Sequence, residues 1–280
     1  MQLGIFAKTF VRPTLEGVFD AVVKHGFSLV QLNFSCAGLP NLPDRVEPDL
    51  LEKIRRETAA RNLTLVALSG TFNMIHPDLK ARREGLDRFP VLAAACRELG
   101  IPAISLCTGT RDPEDMWRHH PDNQTPEAWR DLTNSLSEAL AAAEKFDVTL
   151  GVEPEVSNVV NSAAQARRLL DEMKSPHLKV IMDGANLFPA GKLPYMREVL
   201  EEAFDLLGHD IIIAHAKDLD HDGEAGHLVA GKGLMDYDCY LRLLKKAGFK
   251  GPLLLHGLAE SEVDESVAFL RRKLTACFES

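Results

Sequence analysis

Short apolar runs rich in branched residues alternate along the chain with longer stretches whose apolar positions recur at helical spacing. The runs predict strands near Leu3–Ala7, Leu29–Asn33, Thr64–Ser69, Ala103–Cys107, Thr149–Glu153, Val180–Asp183, Ile211–His215 and Leu253–His256. The longer stretches predict helices over Leu15–His25, Pro48–Arg61, Glu84–Leu99, Pro126–Phe146, Ala163–Met173, Met196–Leu207, Tyr237–Ala247 and Glu262–Cys277. Glycine stands at the ends of four of them, at Gly26, Gly100, Gly208 and Gly248, where a left-handed cap is easiest without a Cβ.

Eight strand–helix units share 280 residues. Such alternation predicts a parallel sheet with helices outside it. No Pro/Gly/Ser-rich linker divides the chain, so the expectation is one α/β domain over residues 1–280, a closed eight-stranded parallel (β/α)8 TIM barrel. A doubly wound sheet would need a Gly-rich turn after the first strand, and that turn reads Lys8-Thr9-Phe10-Val11-Arg12.

Barrel strands are covered on both faces, yet four of these end in ionisable residues. The period of two sets Glu153 on the face of Thr149 and Gly151, Asp183 inward, His215 with Lys217, and His256 with Leu254. Glu153, Asp183, His215 and His256 are spaced 30, 32 and 41 residues apart, one strand–helix unit each time. Their strand ends would converge on one mouth of the barrel, where this architecture carries its active sites. Any one of the four alone fits a loop cap or a buried ion pair; the shared register points to a site. Two carboxylates and two imidazoles brought together there call for a compensating cation. Mixed oxygen and nitrogen donors favour Mn²⁺, Zn²⁺, Co²⁺ or Fe²⁺ over Ca²⁺.

Charge narrows the partners. Lys and Arg number 32 against 41 Asp and Glu, a formal net charge of −9, which argues against a nucleic-acid partner. The five cysteines are scattered without a CxxC pair, as expected of reduced thiols in a cytoplasmic protein. The sequence has neither a signal-peptide pattern nor an apolar run long enough to cross a membrane, so no membrane partner is expected.

The strand-end residues and the segments around them resemble the sugar phosphate isomerase/epimerase superfamily, the xylose isomerase-like TIM barrels. The resemblance spans nearly the whole chain and is densest in Gly151-Val152-Glu153-Pro154, in Met182-Asp183 with Asn186 three further on, and in His215-Ala216-Lys217-Asp218. It continues in His227-Leu228-Val229-Ala230-Gly231-Lys232-Gly233, with Asp236 close behind. It implies metal ligation by Glu153, Asp183 and His215, and a divalent ion as cofactor: Mn or Zn first, with Co, Fe or Mg as alternatives. Epimerases of this superfamily end the last barrel strand in a second glutamate; this chain has His256, followed by Gly257-Leu258-Ala259-Glu260. Either His256 or Glu260 is then the residue that takes the glutamate's place.

Isomerising a sugar means removing a proton from carbon beside a carbonyl, through an enediolate. Glu153 is the first candidate base, with Glu260 or His256 on the opposite face. Lys217 is a candidate to stabilise the enediolate or bind a substrate carboxylate, or else to pair with Asp218 or another acid at the strand end. Candidate substrate contacts are His76, Cys107, Asn186, Lys217 and His227; Gln31, Asn33, Thr108, Arg111 and Trp117 also fall near strand ends. Residues 110–124 form a loop long enough to serve as a lid. Gly226 to Lys232 fits the start of a phosphate-binding loop, but Gly233 stands where Ser or Thr belongs; the amides of Gly231 and Gly233 remain candidate anion donors.

These features predict a metal-dependent isomerase or epimerase of a small keto-sugar, sugar phosphate or related polyol. The resemblance leaves alternatives in an inosose-type dehydratase, an endonuclease IV-like nuclease and a non-catalytic sugar-binding barrel. Barrels of this kind often pair, so a homodimer is the prior expectation.

Overall fold

Strands and helices fall where the apolar periodicity puts them. A computed structural model describes residues 1–278. The strands of the barrel are β1 (Gln2–Phe6), β2 (Leu29–Leu32), β3 (Thr64–Ser69), β4 (Ala103–Leu106), β5 (Thr149–Val152), β6 (Leu178–Asp183), β7 (Ile211–Asp218) and β9 (Pro252–Leu255). Between β7 and β9 lies β8, a two-residue strand at Leu228–Val229. The helices are α1 (Leu15–Lys24), α2 (Pro48–Ala60), α3 (Leu79–Leu99), α4 (Pro126–Phe146), α5 (Ala163–Met173), α6 (Met196–Leu207), α7 (Tyr237–Lys246) and α8 (Val263–Phe278).

Neighbouring barrel strands pair in parallel, and the ring closes through β1 with β9, β9 with β7, and β7 with β6. The closed eight-stranded parallel barrel is therefore the fold that the alternating units predict. Closure sorts the apolar residues into two sets. Phe6, Ala67, Ala103, Ile181, Ile213 and Leu254 form a small inner cluster, while the larger core lies between the sheet and the helices. Among the described residues, no helix is long and apolar enough to cross a membrane.

Several helices start at polar side chains that satisfy free amide groups of the first turn. Thr14, Asp78, Thr125, Ser162 and Asp236 each accept a backbone N–H in this way. The Asp78 cap starts α3 five residues before the predicted Glu84. Leu79 is exposed there, so the apolar pattern carries no mark of this first turn.

The other departure bears on the site. Strand β7 runs three residues past His215, and Lys217 and Asp218 pair antiparallel with β8. The buried Asp218 carboxylate holds the loop beyond: Oδ1 accepts the amides of Leu219 and Met235, and Oδ2 accepts that of Gly231. Gly233 must be glycine at this approach, because a Cβ there would lie 2.3 Å from the Leu219 carbonyl oxygen.

Candidate active site

Alternation along each strand decides which side chains reach the mouth of the barrel. Glu153 follows β5, Asp183 ends β6, His215 and Lys217 share one face of β7, and His256 follows β9. One donor atom from each of Glu153, Asp183, His215 and His256 falls within 4.8 Å of the others. His215 Nδ1 lies 3.4 Å from Glu153 Oε2 and 3.8 Å from Asp183 Oδ2. His256 Nε2 is 3.3 Å from Asp183 Oδ2, and Lys217 Nζ is 3.2 Å from the same oxygen.

Neighbours lock each of these groups. Phe6, at the end of β1, stacks on the His256 ring at 4.6 Å and meets the His215 ring edge-on at 5.4 Å. A single 3-10 turn, Gly184–Asn186, directly follows β6 and is fastened by the Ala185 amide on Asp183 Oδ1. It brings Asn186 to Glu153. Tyr237 donates its hydroxyl to the Lys217 carbonyl and Tyr240 to the carbonyls of Met182 and His215, so the backbone beneath the site is tied from α7.

The electrostatics follow from burial opposed by charge. Burial raises the Glu153 carboxyl, but the electrostatic pull of His215 and Lys217 outweighs it and leaves the group below its usual value. Asp183 is held lower still: burial opposes, while Lys217, His256 and His215 all favour its charged form. Lys217 stays protonated, since Asp183, Glu153 and Glu155 more than offset its burial. Burial and the neighbouring His215 push His256 down to about 4.

This donor set fits a divalent cation. His215 is almost wholly buried, and neither of its ring nitrogens has a hydrogen-bond partner, although Nδ1 faces two carboxylates. An unbonded buried imidazole is costly, and ligation at that nitrogen would remove the cost. Glu153, Asp183, His215 and His256 together supply the mixed oxygen and nitrogen donors of a transition-metal or Mn²⁺ site.

Glu153, His215 and His256 line a cavity of about 600 Å³ at the barrel mouth, with Asp183 fully buried beside them. Cys107, Lys217 and His227 line it, as do Asn33 and Trp117. Asn186 sits behind the wall, donating to Glu153 at 2.6 Å and accepting from Lys217 at 2.9 Å. Burial raises the Cys107 thiol far above its usual pKa, so it is an unreactive wall.

Two candidates lie elsewhere. Glu260 does not line the cavity: both of its oxygens accept from Arg12, at 2.7 and 2.8 Å, and His25 stands 3.5 Å away. It sits in a 3-10 turn past β9, where the Arg12 guanidinium holds it away from the cavity. His76 is likewise outside, its ring held between the Pro113 carbonyl and the Asp78 amide. Lys217 pairs with Asp183, the acid that ends β6, as its alternative of a strand-end acid allowed, and not with Asp218. The Gly231 amide is taken by Asp218, which removes it as an anion donor. Gln31 turns into the barrel to the hydroxyls of Ser69 and Ser105, while Thr108 accepts the Val160 amide and Arg111 pairs with Asp131. Met116 and Trp117 of the 110–124 loop reach the cavity, and an Arg118–Asp112 ion pair and Asn123 bind that loop down.

Glu155 and Phe6 belong to the site and were not singled out from sequence. Glu155 is buried in the cavity wall, and burial together with the Glu153 charge pushes its carboxyl up to about 8. The signal was present: the period of two that aims Glu153 inward applies equally in Glu153-Pro154-Glu155. Phe6 needed the closure of β1 onto β9 to meet His256.

Fold and site together define a parallel eight-stranded barrel with a cation-type cluster at the C-terminal mouth, the end that serves chemistry in this architecture. The family model of the xylose isomerase-like TIM barrel matches residues 19–273, and the chain belongs to that family. Among solved structures, a D-tagatose 3-epimerase-like protein aligns at a TM-score of 0.78 and 16% identity, over 100% of this chain and 99% of that one. A protein called IOLI, solved with a zinc atom, aligns at a TM-score of 0.75 and 18% identity over 100% of both chains. A 3-keto-D-glucoside 4-epimerase from E. coli aligns at a TM-score of 0.73 and 17% identity, over 97% of this chain and 99% of that one. At such identities the likeness is one of fold. No curated protein matches the sequence.

Proposed function

We propose that the protein is a divalent metal-dependent isomerase or epimerase of a small keto-sugar, sugar phosphate or related polyol. The observation that carries this reading is the convergence of Glu153, Asp183, His215 and His256 at the base of a sugar-sized cavity. The epimerases among the structural neighbours support it. Glu153, Asp183, His215 and His256 would hold the ion, which when bound supplies Lewis acidity toward a carbonyl oxygen.

The remaining work falls to this chain's side chains. Glu153, ionised at neutral pH and steered by Asn186, is placed to take a proton from carbon beside the carbonyl. Lys217 keeps its charge and can stabilise the developing oxyanion. Asn33 offers the cavity a buried amide oxygen with no protein partner, an acceptor for a sugar hydroxyl. His256 is neutral at neutral pH. Glu155, which holds its proton to about pH 8 and lines the same cavity, is the acid available to return a proton to the carbon.

The same protonated Glu155 favours one second reading, an inosose-type dehydratase, in which an acid must protonate departing hydroxide. Two measurements test the proposal. Elemental mass spectrometry of the native protein and of Glu153→Ala should find near-stoichiometric metal that the substitution removes. The metal-loaded protein in D₂O, offered a panel of ketoses, should exchange the proton beside the carbonyl and yield an epimer or isomer; loss of water instead indicates the dehydratase. A native protein that holds no divalent ion, and gains no thermal stability from added Mn²⁺, Zn²⁺, Co²⁺, Fe²⁺ or Mg²⁺, would overturn both readings.

A further inference from the structure

We infer that the loop between β7 and β8 carries a second cation site, at the rim of the cavity, with Asp220, His221 and His227 as ligands for a zinc-class ion. One donor atom from each of these three lies within 4.8 Å of the others, separate from the cluster at the barrel mouth.

The arrangement of hydrogen-bond acceptors makes the argument. Asp220 Oδ1 faces His221 Nδ1 at 2.5 Å and His227 Nε2 at 2.8 Å. The outer nitrogen of each ring also faces an oxygen: His221 Nε2 lies 2.9 Å from Glu224 Oε1, and His227 Nδ1 lies 3.4 Å from the Ala225 carbonyl. A neutral imidazole has one N–H, and each ring has an acceptor on both sides. With the outer nitrogens protonated, both inner lone pairs point at the same carboxylate oxygen, and a metal ion or further protons among them make the contact favourable. The outer acceptors then act as orienting partners for metal-bound histidines, a carboxylate for His221 and a backbone carbonyl for His227. Two nitrogens and one oxygen leave a fourth position open, as in zinc sites that keep a water or a substrate group.

The loop is built to hold this geometry. Asp222 does not join the cluster; it accepts the Leu193 amide, and the Gly223 amide donates to the Phe188 carbonyl. On the other side the Gly226 amide donates to Asn186, the residue that also touches Glu153. The backbone between His221 and His227 is thus fastened just after the first ring and just before the second. Because Glu224 and His227 line the cavity, an ion at this place faces the outer end of whatever the cavity binds.

The test uses the full-length protein, stripped with chelator and titrated with Zn²⁺, read by elemental mass spectrometry after gel filtration, and with Co²⁺, read by its tetrahedral visible absorption. About two equivalents are expected per chain, and His221→Ala or Asp220→Asn should remove one while His215→Ala removes the other. The rim residues are exposed, so an unchanged melting temperature identifies a folded variant. Equal stoichiometry in wild type, His221→Ala and Asp220→Asn would overturn the site and assign the rings a proton in place of the metal. A single equivalent lost in His221→Ala but kept in His215→Ala would support the rim site and count against the one at the barrel mouth.

Discussion

Asn186 donates its side-chain amide to Glu153 Oε1 at 2.6 Å, while its carbonyl oxygen accepts from Lys217 Nζ and the Gly226 amide, each at 2.9 Å. The two donors on one side fix which way the amide points. They also leave Glu153 Oε2 as the oxygen that faces His215. Asn186→Ala should therefore lower metal affinity or turnover by about 10- to 100-fold, the cost of losing a partner that orients a ligand. Zinc titration against a competing chelator checks it, and an affinity and rate equal to wild type would show that Glu153 needs no such support.

Lys217 and a bound cation compensate the same carboxylates. Lys217→Met should destabilise the metal-free protein by about 3 kcal/mol or more, because Asp183 is then left buried without its nearest full charge. Added Zn²⁺ or Mn²⁺ should recover much of that, so the rise in melting temperature on adding metal should be larger in the variant. Equal rises in the two proteins would separate Lys217 from the cation site.

Glu155 gives the protein a pH dependence of a definite sign. Its folded carboxyl titrates near 8 against an ordinary value of 4.5, so between those values the folded state holds a proton that the unfolded chain has released. The stability from this group is fully present below about pH 4.5 and is lost as pH rises through 8. Glu155→Gln cannot ionise and should gain on wild type from about pH 5 to about pH 9, by on the order of a few kcal/mol. Difference melts isolate this from His256, whose depressed pKa acts at the acid end. Parallel melting curves would show that Glu155 is exposed to water.

Glu260 offers the opposite case. Arg12 holds its carboxyl below the usual range at the surface. Glu260→Gln should change turnover by no more than about twofold and stability only slightly, as expected of an exposed ion pair. A drop in kcat of two orders of magnitude or more would place Glu260 back among the groups that move the proton.

Local periodicity made the barrel legible without coordinates. Strand and helix positions depend on which residues recur at two and at 3.6, and that pattern lies in contiguous segments. The inward aim of Glu153, Asp183, His215 and His256 follows from the same alternation, because each sits on or directly after its strand. Further out along the loops the alternation stops carrying information. Glu260 was drawn away by Arg12, which is 248 residues distant in sequence, and His76 turned to the Pro113 carbonyl. Phe6 came to lie on His256 only because closing the ring sets the first strand beside the last. The chain's own order thus determined the barrel and four inward-facing side chains. Ring closure and long-range contacts decided where Glu260, His76 and Phe6 lie and the state of Glu155, since those depend on charges and burial that no short segment contains.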